Sequence, residues 1–528
     1  MPLYHLPGPG IWFSRNRSRR LYSPSATRAD CAVRKNHFHK QQRAILSMER
    51  FPRTLTDAVR LIQLSNLLKA SALTVIDEWA KETECKLGKG SIDPSSHDSP
   101  RLLPSRKLHD AQRTILAVTG ALTELVAEPY SRIQEVACQY WESRALYIAA
   151  ERRIPDLLAE AGEDGLEVKE LGSKTGIEHL KLSRLLRCLC SIHIFRQTAP
   201  DSFANNRISA ALVQNEPLRA YVQLFNYDLY TASDHLPKYL LSEKGASYSV
   251  TETAFQNAVG TTKPRWDWLA EKIQPNQVSP QSGVGYPGIP SAANANLKPD
   301  DDGLVTRPEL ENFGLAMIGG GKTSGAAHPF DYPWGTLGEG LIVDVGGGVG
   351  GFVLQLLPRY PKLKYVIQDR PEVLKQAKEE VWPREAPEAV QDGRVSFMEH
   401  DFFQPNPICG ADVYWMRGIL HDWSDDYCVR ILSAIRVSMT QKSHILICDQ
   451  IMNTTLGCEE ISPAPSPLPA NYGYYTRYCH QRDLCMMGII NGIERTPSQF
   501  RELVEKAGLK MERIWECRSM VGIIEVTL

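Results

Sequence analysis

"IVDVGGGVGGFVLQLL", Ile342 to Leu357, decides how the second half of the chain is read. Its β-branched and apolar residues predict a buried strand, the glycines a sharp turn, and the apolar spacing after them a helix. Glycine lets the backbone double back and come close to a ligand, and the helix that follows opens with amides that lack partners. Working outward, apolar runs at 341–346, 364–369, 394–401, 411–418, 443–450, 510–516 and 520–528 are strand candidates, with helical spacing between all but the last two. Such alternation predicts an α/β fold, a Rossmann-like doubly wound seven-stranded sheet, parallel through its fifth strand and ending in a hairpin.

Two cofactor patterns overlap in the glycine turn. Gly346, Gly348 and Gly351 satisfy the G-x-G-x-x-G of dinucleotide sites, while Gly346, Gly348 and Gly350 satisfy the G-x-G-x-G of S-adenosylmethionine sites. Acids at the next strand ends help to decide. Asp369 ends the second strand, where a carboxylate can accept from both ribose hydroxyls in either class. Asp401 and Phe402 end the third, offering a carboxylate to the adenine amino group and an aromatic face to its ring. That second acid with its aromatic is expected for S-adenosylmethionine and is not needed for NAD. Tight-turn glycines and helix-capping acids explain any one of these positions, but explain three consecutive strand ends poorly.

"ILHDWSDDYCVRIL", Ile419 to Leu432, places His421 just beyond the fourth strand, at the edge where open α/β sheets bind ligands. The imidazole can be a packed loop histidine, a metal ligand or a base. Ser424 is a good helix N-cap, and Asp425 and Asp426 suit the first turn of the helix, so neither acid needs a catalytic role. Metal ligation needs partners at close spacing, and no H-x-H or H-x-x-x-H occurs here. A base remains: a phenol with a pKa of about 10 is a poor nucleophile until its proton is taken, and an imidazole titrating near ~6.5 can take it. Such a base works best beside a carboxylate that fixes its tautomer. Asp449, at the end of the fifth strand, and Glu494, before a helix starting near Thr496 and Pro497, are the candidates; a strand-end acid and a helix-entry acid are their structural readings.

The 528 residues are too many for one ordinary core. With 43% apolar and 23% charged residues and a formal net charge of −1, the chain has no overall basic footprint for nucleic acid or anionic membrane. No apolar run reaches the roughly 18 to 20 residues of a membrane span. The twelve cysteines are scattered and read as reduced thiols of a cytoplasmic enzyme. Residues 1–47 hold nine Lys or Arg against the single acid Asp30. They read as a disordered extension, or as sequence upstream of a natural start at Met48, in preference to a mitochondrial transit segment. A helical N-terminal domain is expected over 48–225, with amphipathic spacing at 54–80 and 109–159 and a winged-helix pattern at about 150–215. The apolar stripe Leu182, Leu185, Leu186 and Leu189 on its second helix points to packing or dimerisation rather than DNA reading. A helical linker over 226–339 contains a Pro, Gly, Ser and Asn-rich insertion, 274–307, and 340–528 forms the cofactor domain.

The strings "IVDVGGGVGG", "VIQDRPEV", "EHDFF", "GADVYWMRGILHDWSDD", "ILICDQIM" and "NGIERT" together resemble the caffeate-type S-adenosylmethionine-dependent O-methyltransferases, in the fungal branch that modifies aromatic polyketides, including sterigmatocystin-pathway enzymes. The resemblance implies that Gly346 and Gly347 hold the methionine part of the cofactor, and Gly348 and Gly350 of the same turn are counted with them as cofactor-binding. It gives Asp369 the ribose, Asp401 and Phe402 the adenine, and Arg417 a place lining the cofactor site. His421 becomes the base, flanked by Asp449 and Glu494, without a metal. Met486 and Met487 correspond to substrate-lining methionines, which suit a flat aromatic acceptor. Plant members carry glutamate where Asp449 stands and tend to carry lysine where Arg417 stands; fork and point charge differ, but a cationic role survives. The family's N-terminal domain lends helices to a partner's site, so a homodimer is implied. Two other readings stand beside this one: an NAD-linked oxidoreductase using the same glycines, and a non-catalytic winged-helix regulator. The first lacks a second nucleotide-binding half and leaves Asp401 and Phe402 unexplained; the second has no need of His421, Asp449 and Glu494.

Overall fold

The structure, a computed structural model, describes residues 53–86, 103–278, 286, 288–289, 299–324 and 327–528. The basic extension 1–47 and half of the insertion 274–307 lie outside them. The chain divides into Met1–Leu55 and Thr56–Leu528, and everything below concerns the second unit.

Its centre is a seven-stranded sheet: β1 (Leu341–Val345), β2 (Lys364–Asp369), β3 (Val395–Glu399), β4 (Val413–Arg417), β5 (His444–Gln450), β6 (Lys510–Glu516) and β7 (Val521–Thr527), ordered β6-β7-β5-β4-β1-β2-β3. The first five strands pair in parallel, while β7 lies antiparallel between β5 and β6. The sheet is buried on both faces, so its strands are apolar at every step rather than alternately. Ile342, Val413 and Trp415 face one core, where Trp415 stacks on Phe352 at 4.2 Å between ring centres. Val343, Val345, Tyr414 and Met416 face the other. Strand order reverses between β1 and β4, which opens a crevice beyond their carboxyl ends.

The winged-helix elements are present: helices Val168–Thr175 and His179–Ser191, joined through left-handed Gly176, and a hairpin pairing Phe195–Ala199 with Ser202–Asn205. Leu182, Leu186 and Leu189 are buried in that unit's own core. The helical stretch expected over 109–159 is made of four helices, Arg106–Val126, Pro129–Cys138, Tyr140–Glu151 and Ile154–Ala161. Glu128 caps the second, whose first residue is proline; Gln139 separates the next pair, and Arg153 takes a left-handed conformation ahead of Pro155. Helix Leu55–Lys86 is, among the described residues, the one long and apolar enough over Leu55–Glu84 to cross a membrane by length and composition. It buries Leu64 and Val75 against Arg106–Val126 and keeps Ile62, Leu73, Ile76 and Trp79 exposed. The 274–307 insertion is clipped at its base, where Lys272–Ile273 pairs with Val305–Thr306, and its Tyr286 packs edge-on to Trp268.

Candidate active site

Strand register assembles the site. β1 sets Asp344 beside Trp415, β4 sets Arg417 beside Cys448, and β2 sets Asp369 beside Glu399. The glycine turn, Asp369, Asp401, Arg417, His421 and Asp449 therefore leave the sheet at one edge, and all line one cavity of about 1050 Å³. Ligand pockets usually measure about 300 to 1,000 Å³, which puts this one at the roomy end of the range.

The cofactor end is built on backbone. Gly346 and Gly348 have φ of +68° and +59°, which a side chain resists. A Cβ on Gly346 would lie 2.6 Å from Ile419, and one on Gly347 would lie 2.6 Å from the Asp344 carboxylate. Gly348 N–H donates to Asp369 Oδ2 and Arg370 N–H to Oδ1, both at 2.8 Å, so the carboxylate is aimed while each oxygen keeps a lone pair for a hydroxyl. Asp401 accepts from Phe403 N–H at 3.0 Å, and Phe402 stands half-buried beside Phe403 and Trp423. Behind the turn, Asp344 Oδ2 and Arg417 Nη1 are buried with no hydrogen-bond partner. Burial pushes Asp344 up to about 7, although the Arg417 cation opposes the rise. One orphaned anion and one orphaned cation beside a glycine turn suit the ammonium and carboxylate of a methionine moiety, and these residues fit S-adenosylmethionine.

The two glycine patterns part here. Gly350 does not line the cavity; at φ +88°, a Cβ on it would meet Ile367 at 2.6 Å and Trp382 at 2.9 Å, so it serves the packing of helix on sheet. A Cβ on Gly351 would meet nothing within 4 Å. The third glycine of a dinucleotide turn exists for close helix packing. In this chain that close approach falls at Gly350.

Around His421 the structure gathers acids. Nδ1 lies 3.0 Å from Glu494 Oε1, Nε2 lies 3.4 Å from Asp422 Oδ1, and the side chain is 15% exposed. Glu494 stands behind the ring, outside the cavity wall, and its Oε1 also accepts from Gln450 Nε2 at 2.8 Å. Asp449 makes no hydrogen bond to His421: its Oδ1 accepts from Gly418 N–H at 2.9 Å, its Oδ2 is buried without a partner, and it acts on the ring through its charge. Burial works against the imidazolium, yet Asp422, Glu494 and Asp449 outweigh it and push His421 up to about 10. The imidazolium in turn helps to hold Glu494 below its ordinary range against burial, whereas burial pushes Asp422 up to about 6. When the ring is neutral, Nδ1–H donates to Glu494 and leaves Nε2 able to take a proton. Among the described residues, no three His, Cys, Asp or Glu side chains are arranged to hold a metal ion.

The loop under the ring is held from one segment. Ile493 N–H donates to His421 O at 2.9 Å. Buried Arg495 donates to Leu420 O at 2.8 Å, to Trp423 O at 2.7 Å, and twice to Asp425, at 3.0 and 2.8 Å. Asp425, besides standing in the first turn of its helix, thus anchors this clamp.

The far wall comes from elements with no local signature. Tyr221, Leu224, Trp266, Phe313 and Met317 reach it from the helical region, and Met486 from helix Arg477–Ile490. Met487, on the same helix, is half-buried outside the wall. Sequence reasoning passed over Asp344, Asp422, Gln450 and Arg495. Asp344 alone carried a signal, as an acid inside a five-residue strand otherwise apolar.

A parallel-stranded fold, a glycine turn with acids on consecutive strand ends, and a cradle that fits the cofactor define an S-adenosylmethionine-dependent methyltransferase. Comparison with known proteins narrows the class. Residues 337–510 match an O-methyltransferase domain and residues 134–215 an O-methyltransferase dimerisation domain. O-methyltransferase cicE of Emericella nidulans is 67% identical over 485 residues, 91% of this chain and 92% of the relative. O-methyltransferase tpcA of Aspergillus fumigatus is 58% identical over 482 residues, 91% and 98% of the two chains. Among solved structures, LepI with S-adenosylmethionine is similar at TM-score 0.59 and 21% identity, covering 79% of this chain and 94% of LepI. Mitomycin 7-O-methyltransferase MmcR is similar at TM-score 0.53 and 24% identity, covering 77% and 99%. The chain belongs to the O-methyltransferase family.

Proposed function

We propose that this enzyme transfers the methyl group of S-adenosylmethionine to a phenolic hydroxyl of a small aromatic secondary metabolite of polyketide type, with His421 as general base. When bound, the cofactor supplies an electrophilic methyl on a sulfonium. The observation that carries the reading is His421: its Nδ1 is fixed by Glu494 while the ring lines the same cavity as the glycine turn. The acceptor hydroxyl loses its proton to Nε2 as its oxygen takes the methyl, and Glu494 stabilises the imidazolium that results. Asp449 adds negative charge on the same side. Gly346, Gly347 and Gly348 with Asp369, Asp401, Phe402 and Arg417 hold the cofactor, Gly350 supports the turn from behind, and Met486 lies against the acceptor ring. The role given to Met487 by the resemblance has no support in its position. We read the protein as a cytoplasmic homodimer, joined through the N-terminal domain whose helix Pro129–Cys138 exposes Tyr130, Ile133 and Val136.

The test is a pair of titrations with S-adenosylhomocysteine and with NAD, followed by methyl transfer to a panel of polyhydroxylated aromatics with and without EDTA. Saturable heat with the first ligand alone and chelator-insensitive transfer are expected. Heat with NAD alone, or activity lost to EDTA and restored by magnesium, would overturn the reading.

A further inference from the structure

Two arginines at the acceptor end of the cavity are left over by this chemistry. Arg482, half-buried on helix Arg477–Ile490, lines the wall, and no hydrogen bond or ion pair joins its guanidinium to another described side chain. Its carbon lies 5.8 Å from the centre of the Phe225 ring, and its neighbours are the Tyr221 and Tyr478 hydroxyls, which hydrogen-bond to each other. Arg265, 2% exposed, also lines the wall. Asp228 takes its Nε at 2.9 Å, the Phe313 and Trp266 rings lie 5.5 and 5.7 Å from its guanidinium carbon, and its Nη2 is buried without a partner. Phe225 and Tyr221 beside Arg482, Trp266 and Phe313 beside Arg265, and Cys485 all pack against one hydrophobic cluster, so the two groups belong to one region of the wall.

A guanidinium presents donors in a rigid fork, and leaving such donors buried among apolar residues is costly unless a ligand takes them. Leu224, Leu229, Ile489 and Ile490 supply that apolar lining. Resting on the function proposed above, we propose that Arg482 and the spare Nη2 of Arg265 bind a second oxygen of the acceptor, a carboxylate or a ring carbonyl, and so select hydroxylated aromatics that carry one. The methylated hydroxyl faces His421; the second oxygen faces the arginine pair. The bland alternative makes Arg482 a distant counter-charge for Glu494, whose ionised form it favours.

Binding separates these without relying on turnover. Dissociation constants for a plain naphthol, a hydroxynaphthoic acid and a hydroxynaphthoquinone are measured on protein saturated with S-adenosylhomocysteine, for the wild type, Arg482→Met and Arg482→Lys. A hydrogen bond to a charged group leads us to expect the acid or the quinone to bind the wild type about 10- to 100-fold more tightly than the naphthol. The methionine variant should bring that ratio close to one, and lysine should restore part of it. Loss confined to the acid identifies a carboxylate and loss confined to the quinone a carbonyl, and either supports the assignment. Equal binding of all three by the wild type, or a ratio that survives Arg482→Met, overturns it; a counter-charge would weaken all three alike and leave the ratio where it was. Failure of the methyl-transfer reading would show separately, as absent turnover with the binding ratios intact.

Discussion

At the scale of single residues, the site depends on charge placed around one imidazole. His421 sits above its ordinary range because three carboxylates outweigh its burial, so at neutral pH the ring holds a proton that must leave before it can act as a base. The acceptor kcat/KM should therefore rise with pH through an apparent pKa well above the ordinary 6.5 or so. Glu494→Gln removes one of the three charges and should move that rise to lower pH while lowering the plateau, because the tautomer is no longer fixed. A pH–rate profile of the two proteins checks this, and an unmoved profile would count against it. Linkage gives the matching sign for stability. A folded-state value near 10 means the native protein holds more protons than the unfolded chain between roughly pH 6.5 and 10, so this contribution is complete below that window and fades as pH rises through it. Denaturant titrations across that range should show a shallower decline in His421→Ala than in the wild type.

At the scale of elements, the glycine turn and the Arg495 clamp make separate predictions. Gly347→Ala forces a methyl against the Asp344 carboxylate and should weaken S-adenosylhomocysteine about tenfold or more by calorimetry. Gly351→Ala meets open space and removes a flexible residue from a helix start, so affinity should hold and stability stay level or rise slightly. Arg495→Met strands the Leu420 and Trp423 carbonyls and should cost on the order of 2–5 kcal/mol in chemical denaturation. Lysine should rescue it poorly, since a point charge cannot replace a fork. These elements differ in how much the sequence says about them. The seven strands were legible because a parallel sheet buried on both faces spells itself as apolar runs, and the predicted ends fall within two residues of the observed ones. Over 109–159 the spacing announces helix but not where one helix ends and the next begins, because apolar periodicity runs through Pro129 and Arg153, where chain direction changes but spacing does not. The strand-end residues could be named because the fold brings every carboxyl end of β1–β5 to one edge. The acceptor wall could not, because Tyr221, Arg265, Phe313 and Arg482 meet only through tertiary packing.

At the scale of the whole molecule, the helical region does two jobs: it lines the far wall of the cavity and presents apolar surface. Ile62, Leu73, Ile76 and Trp79 on Leu55–Lys86 and Tyr130, Ile133 and Val136 on Pro129–Cys138 are too many exposed large side chains to be scattered singly. Sedimentation should give the mass of two chains, and Ile133→Glu with Val136→Glu should shift it toward one. A wild type that sediments as one chain at micromolar concentration would refute the homodimer. The same architecture predicts mass-action stabilisation: S-adenosylhomocysteine at 100 times its Kd should add about 2.7 kcal/mol to unfolding.

The most direct test of the account is single-turnover methyl transfer by His421→Ala beside the wild type, at saturating S-adenosylmethionine, with S-adenosylhomocysteine affinity measured on the same samples. The account predicts a rate lower by roughly 10² to 10⁴ with affinity unchanged, the usual worth of a general base. A rate within a few-fold of the wild type would contradict it.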